Sequence, residues 1–291
     1  MRLGGVQTLF LLLCGMVLAG GSADAEELTE DPTTQEMDSF TVSGYAADGA
    51  KRWDLQGTGA TLEGSIVTIH HPDGIGYDLS ASKRTTYLTA RLAQMEQDSR
   101  RIRMEHAVTI HTSDGWWLAS PLLYWLPDRE ELTTDQPVRL ETERLLLRAR
   151  GATGHATLDQ AVFHDDIELV LYEPGRHVRI TCDGPFTFDM THYLATFERN
   201  VHVHDGQTHL YAEQLVAYLH KAHRTIRYAQ ATGQVRITQG PHTAHGRRAV
   251  YEPRDSRMTL VGTPSLMVYP DADVPAGRGV GELGIFGRSP R

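Results

Sequence analysis

The chain has 291 residues and a formal charge of −9. That length is room for one large all-β domain or two smaller ones. The acidic balance argues against a nucleic-acid partner, whose phosphates need clustered Lys and Arg, and the short groups Arg100, Arg101 and Arg103 or Arg247 and Arg248 read as solvated strand faces.

Residues 1–25 have the form of a secretory signal. Arg2 supplies the positive start, Leu9 to Leu18 the apolar run, and Ala23-Asp24-Ala25 the small-x-small cleavage site. An uncleaved inner-membrane anchor through residues 6–20 is the alternative, although a spanning helix needs about 20 apolar residues. Of the two cysteines, Cys14 lies in this leader, so the mature chain keeps Cys182 alone and has no internal disulfide. Residues 26–38 contain six acids and no base. With so little apolar content the stretch cannot offset its ordering entropy, and it reads as a flexible linker. The tail 271–291, rich in Gly, Pro and Arg, reads the same way.

Between these ends the chain repeats. Leu210-Tyr211-Ala212 followed by Leu215, Ala217 and Leu219 is the template: apolar, any, small, then apolar at alternate positions. Similar units begin at Leu55, Leu88, Leu118, Leu147, Ile180 and His242. Their small residues, Gly57, Ala90, Ser120, Ala149, Cys182, Ala212 and Ala244, are spaced by 29 to 33 residues. A turn and a second alternating strand follow each unit, as at Val138 and Leu140 or Ile167, Leu169 and Leu171. Turn residues sit where expected, at Asp98-Ser99, Pro127-Asp128, Glu173-Pro174-Gly175 and Pro253-Arg254-Asp255. Leu215 to Ala222 is the best helix candidate, but its Ala217/Leu219 spacing favours strand.

Seven two-stranded units predict an all-β, repeat-built antiparallel fold of about fourteen strands. No unit can bury its apolar face alone. A long sheet folded in half would bring those faces together, with the small residue of each unit suited to a tight place near the bend. Periodicity puts one face of every strand inside, whether in a filled sandwich or around an open groove. The inward positions that would line such a groove are Ile102, Met104, Val108, Ile110, Phe186, Phe188, Val201, Val203, Leu215, Val235 and Ile237. In Trp116-Trp117 one indole faces in and the other out, exposed near a turn.

The candidates for catalysis are weak. His202 and His204, with Asp205 and His209 nearby, project to one face of a strand and would suit a metal. Val201 and Val203 claim the interior, however, which leaves both histidines on the solvent face. His164-Asp165-Asp166 and His70-His71 are weaker still. The sequence has no Gly-x-Ser-x-Gly elbow, no His-Glu-x-x-His pair and no Gly-rich phosphate loop before a helix.

The clearest repeat copy runs from Ala231 to Val268. Its strings Ala231-Thr232-Gly233-Gln234-Val235-Arg236-Ile237, Thr243-Ala244-x-Gly246-x-x-Ala249-x-Tyr251 and Leu260-x-Gly262-x-Pro264-x-Leu266 resemble the OstA/LptA-type repeat of lipopolysaccharide export. From Phe40 to about Tyr172 the chain is similar to LptC, through Gly49 with Trp53-x-Leu55, Leu88-Thr89-Ala90, Val108-x-Ile110-x-Thr112-x-Asp114-Gly115 and Thr134-x-x-Pro137-Val138. The resemblance implies a folded-taco jellyroll (LptC-like over 39–173, OstA/LptA-like over 174–270) with an apolar groove for lipid A acyl chains. It also implies edge-to-edge sheet addition to other Lpt-type jellyrolls and a periplasmic bridge from an inner-membrane ATP-binding-cassette (ABC) transporter complex to the outer membrane. The chain is longer than a usual LptC, and its leader looks cleavable where LptC keeps an anchor.

The resulting expectation is a non-catalytic periplasmic lipopolysaccharide carrier without cofactor or metal. Each buried acyl methylene would contribute about 0.8 kcal/mol. A periplasmic scaffold that binds proteins by edge-strand pairing is one alternative, and a metal-dependent hydrolase built on His202 and His204 is another.

Overall fold

A computed structural model describes residues 35–45, 48–77, 85–99, 101–126, 129–156, 159–173, 175–221, 225–255 and 257–268. The signal, the anchor alternative over 6–20, the acidic residues 26–34, the turn Pro127-Asp128 and the tail 271–291 lie outside the described residues. No described helix is long and apolar enough to cross a membrane.

Twenty-one strands form one antiparallel sheet. In chain order they are β1 (Gln35–Met37), β2 (Phe40–Tyr45), β3 (Lys51–Gly57), β4 (Gly59–Glu63), β5 (Ile66–His70), β6 (Asp73–Tyr77), β7 (Thr85–Thr89) and β8 (Leu92–Glu96). Long strands follow: β9 (Ile102–Thr112), β10 (Trp117–Leu126), β11 (Glu131–Thr142), β12 (Leu145–His155) and β13 (Gln160–Glu173). The rest are β14 (Arg176–Cys182), β15 (Phe186–Asp189), β16 (Leu194–His204), β17 (Thr208–Leu219), β18 (Ile226–Gln239), β19 (His242–Glu252), β20 (Arg257–Val261) and β21 (Ser265–Met267).

The count exceeds the expected fourteen because six strands are cut in two. The pairs β1/β2, β3/β4, β5/β6, β7/β8, β14/β15 and β20/β21 each continue one another across a short break, and the two members pair with the same neighbouring strand or with the two halves of the same neighbouring pair. Joined across those breaks, the strands make fifteen runs, each paired to the run before and after it. The acidic stretch read as linker is also corrected at its end. Gln35–Met37 pairs with β4, Met37 opposite Ala60.

Every run bends near its middle. Uninterrupted strands carry bulges, with register shifts at Ser120/Leu122, Thr134/Pro137, Arg148/Arg150, Glu198/Val201 and Thr232/Val235. A bulge adds a residue to one strand and turns it. The left-handed residues His106, Ala107, Asp166, Arg199, Asn200 and Gln234 lie on this line. Prolines fit here because no ladder N–H is needed: Pro72, Pro185 and Pro264 sit in the breaks, Pro121 and Pro137 at the shifts. The carbonyl of Leu122, freed by one bulge, accepts from the hydroxyls of Ser120 at 2.9 Å and Thr134 at 2.7 Å. Six of the seven small residues lie on or beside the same line, while Ala244 lies in the first wall opposite Ile237 and Leu266. Gly57 and Cys182 end their strands there, Ala90 fills a break, and Ser120, Ala149 and Ala212 sit at shifts, all six buried.

The bend divides the sheet into two walls. The first holds β2, β3, β6, β7, β14, β21 and one half of each long strand; the second holds β1, β4, β5, β8, β15, β20 and the other halves. On the first wall a single row of partners crosses all fifteen runs: Val42, Leu55, Gly74, Leu88, Ile110, Leu118, Leu140, Leu147, Leu169, Ile180, Val203, Leu210, Ile237, Ala244 and Leu266. Eleven of these fifteen, from Leu55 to Ile237 with Gly74 excepted, join one core cluster with counterparts on the second wall. β13 pairs with both β14 and β15, so the sheet runs unbroken past residue 174. Among the described residues the two end runs pair on one side only, which leaves β1/β2 and β20/β21 as open edges.

Candidate functional site

The walls face each other with a stagger. Trp53 stands on the second run and Trp125 on the sixth, about 19 Å apart along a flat sheet at ~4.8 Å per strand. Their ring centroids are nonetheless 6.5 Å apart, edge to face at 82°. Trp116, beside the sixth run, meets Phe188 on the tenth at 5.5 Å. Arg176 on the tenth donates to Tyr251 on the fourteenth as well as to Glu173. Each contact joins the first wall to the second wall four runs on, so the sheet closes over its apolar face with a constant offset. One inward residue is left uncovered at each end: Met37 on the second wall is 44% exposed and Leu266 on the first 51%.

The eleven predicted groove residues all point into this interior. Ile110, Val203 and Ile237 belong to the first-wall row. Met104, Phe186 and Leu215 form part of a second-wall row, and Ile102 and Phe188 part of the row nearer the mouth. Val108, Val201 and Val235 sit beside the bend and, like Met104 and Ile110, are at 1% exposure or less. Phe188 and Val203 are half-buried and the other nine buried. Sequence reading named only part of the lining. Phe163, Phe186 and Phe197 stack across three adjacent runs, at 5.7 and 4.3 Å. Trp116, Leu118, Leu123, Leu132, Leu140 and Phe188 surround the central space.

That central space is nearly full. The cavity is about 30 Å³, enough for a water molecule or two and far short of an acyl chain. Its wall is apolar. The interior at this place therefore holds packed side chains, and an acyl chain can enter here only if the walls part. The contacts that shut the mouth are modest. An aromatic pair contributes about 0.5–1.5 kcal/mol beyond its area. The Arg52–Glu130 ion pair beside Trp53, at 3.2 Å and half-exposed, adds at most about 1 kcal/mol.

His202 and His204 point outward, as Val201 and Val203 require. They stack with neighbours on the first wall's outer face. Nε2 of His202 lies 2.9 Å from Nδ1 of His209, the Tyr211 ring stacks on His202 at 4.4 Å, and the Arg236 guanidinium lies 4.2 Å over Tyr211. Burial, then the neighbouring His209, His204 and Arg236, lowers the pKa of His202. Among the described residues no group of three or more His, Cys, Asp or Glu has the geometry to hold a metal ion. Trp116 faces the interior and Trp117 the outer side, but Trp117 is half-buried rather than exposed.

Two protein-family models match the chain. Residues 8–173 match lipopolysaccharide-assembly, LptC-related, and residues 184–277 match the LptA/(LptD N-terminal domain) LPS transport protein. Neither description names a catalysed reaction. No curated protein matches.

Proposed function

The chain belongs to the LptC-related lipopolysaccharide-assembly family, with an LptA/OstA-like C-terminal part, and on that premise we propose that it carries lipopolysaccharide across the periplasm with the acyl chains held between its two walls. The observation that carries this reading is the apolar row that joins the core from Leu55 on the second run to Ile237 on the thirteenth. A transport path needs continuous apolar surface from one end of the protein to the other, and a protein that only scaffolds others does not.

The residues assigned to the path are Ile102, Met104, Val108, Ile110, Phe186, Phe188, Val201, Val203, Leu215, Val235 and Ile237. Because the interior is closed, the acyl chains enter by separating the walls at the mouth. The bend stays shut, since its bulges and small residues hold the walls close there. Residues 39–173 form the LptC-like segment and 174–270 the LptA-like segment of one path. The open edges β1/β2 and β20/β21 take other Lpt-type jellyrolls by strand addition, in a bridge that starts at an inner-membrane ABC transporter complex and leads to the outer membrane.

Co-purification tests the reading. The full chain, made in a host that synthesises lipopolysaccharide, should carry it after detergent-free purification. Recovery of partner proteins without lipid would instead support a scaffold.

A further inference from the structure

The mouth carries one polar atom that the fold leaves unsatisfied. Nε1 of Trp125 is buried and has no hydrogen-bond partner among the described residues, and a buried donor without an acceptor is costly. The same indole meets Trp53 edge to face from the opposite wall. Trp53 has a prepared seat, because its register partners on either side are Gly44 and Gly76. A Cβ on Gly44 would lie 2.2 Å from the Trp53 ring, so only glycine allows the indole to lie across that strand. Arg52, next to Trp53 in the chain, pairs with Glu130 at 3.2 Å.

We propose that the Trp53–Trp125 pair is the clasp at which the walls part, and that the Trp125 indole N–H then donates to an oxygen at the polar end of the entering amphiphile, a carbonyl or phosphate oxygen next to its acyl chains. Three features support this together. The contact ties the first wall's second run to the second wall's sixth. It is held by one aromatic pair and one exposed ion pair. Its donor has no partner while the clasp is shut. Opening removes the Trp53 edge and brings the N–H to the group that follows the acyl chains in. The apolar interior takes the chains, and the indole marks where the polar part stops. The proposal rests on the carrier reading.

The test uses the full chain with a photocrosslinking residue at Leu140 and purified lipopolysaccharide as probe. In a Trp53→Cys/Trp125→Cys variant, a short cleavable bis-maleimide ties the walls. Capture at Leu140 should fall about tenfold when tied and recover on cleavage. Gly44→Val, which unseats Trp53 without altering either tryptophan, should speed capture. Trp125→Phe keeps an aromatic side chain and loses the N–H, so it should weaken lipopolysaccharide binding about fivefold to tenfold and weaken binding of a plain long-chain alkane probe much less. Equal capture by tied and untied protein would overturn the clasp. Unchanged lipopolysaccharide affinity in Trp125→Phe would overturn the role of the indole. If the unmodified chain captured no lipid at all, the carrier reading itself would fall, and the clasp with it.

Discussion

Leu146 and Leu147 are adjacent leucines on β12 that face opposite sides of the sheet. Leu147 is 1% exposed and lies in the first-wall row between Leu140 and Leu169. Leu146 is half-buried on the outer face, between Glu141 and Val170. Truncating Leu147 to Ala removes a fully buried side chain from a packed interior, with a cavity of only about 30 Å³ nearby to absorb the change. The expected cost is about 3 kcal/mol. For a folded body of this size that lowers the Tm by roughly 6–12 °C. Leu146→Ala should cost about 1 kcal/mol or less, because its outer face is already partly wet. Thermal and urea unfolding followed by far-ultraviolet circular dichroism compares the two directly. Equal costs, or a larger cost for Leu146→Ala, would mean that the rows face the other way and that the interior has been misassigned.

Three further outcomes follow from the same geometry. Val235→Asp places a charge at a site 1% exposed and should cost several kcal/mol, enough to unfold a protein of ordinary stability; a soluble, folded variant would contradict the inward assignment. Gly233, at the bulge in β18, has φ of 81° and no room for a Cβ beside Glu213, so Gly233→Ala should lose about 1–2 kcal/mol, measured as a shift in the urea midpoint. The pKa of His202 is lowered in the fold, so the unfolded chain takes up its proton first as pH falls. Stability is then fully present above about pH 6.5 and declines below it until the folded-state value is passed. His202→Gln should flatten that decline in Tm between about pH 7 and pH 5; an unchanged slope would show that another group is responsible.

How much was legible in the sequence depended on whether a feature is local. Period-2 alternation is imposed by backbone pleating, so Val108, Ile110, Val201 and Val203 could be placed inside and His202 and His204 outside from spacing alone. The small residue of most repeats was also readable, because a bend that brings backbones close excludes large side chains, and Ala90, Ala149 and Ala212 lie on that line. The strand count was not readable. Whether a bend is a bulge, as at Gly233-Gln234, or a break, as at His71-Pro72, decides between one strand and two, and the flanking alternation is the same in both cases. Nor could spacing find the stagger between the walls. Trp53 and Trp125 are brought together by the curl of the whole sheet, and nothing near either residue encodes the other. The packed interior was undetermined for a related reason: alternation fixes which side chains point inward, but not how far apart the facing walls stand.

The account stands on the inner face being the lipid path. Photocrosslinkers placed in living cells at Leu140 and Leu169, and at their outward neighbours Arg139 and Glu168, test this most directly. The account predicts lipopolysaccharide adducts from both leucine positions and none from the two outward ones. Adducts from the outward pair, or from neither pair while the protein is folded and exported, would contradict it.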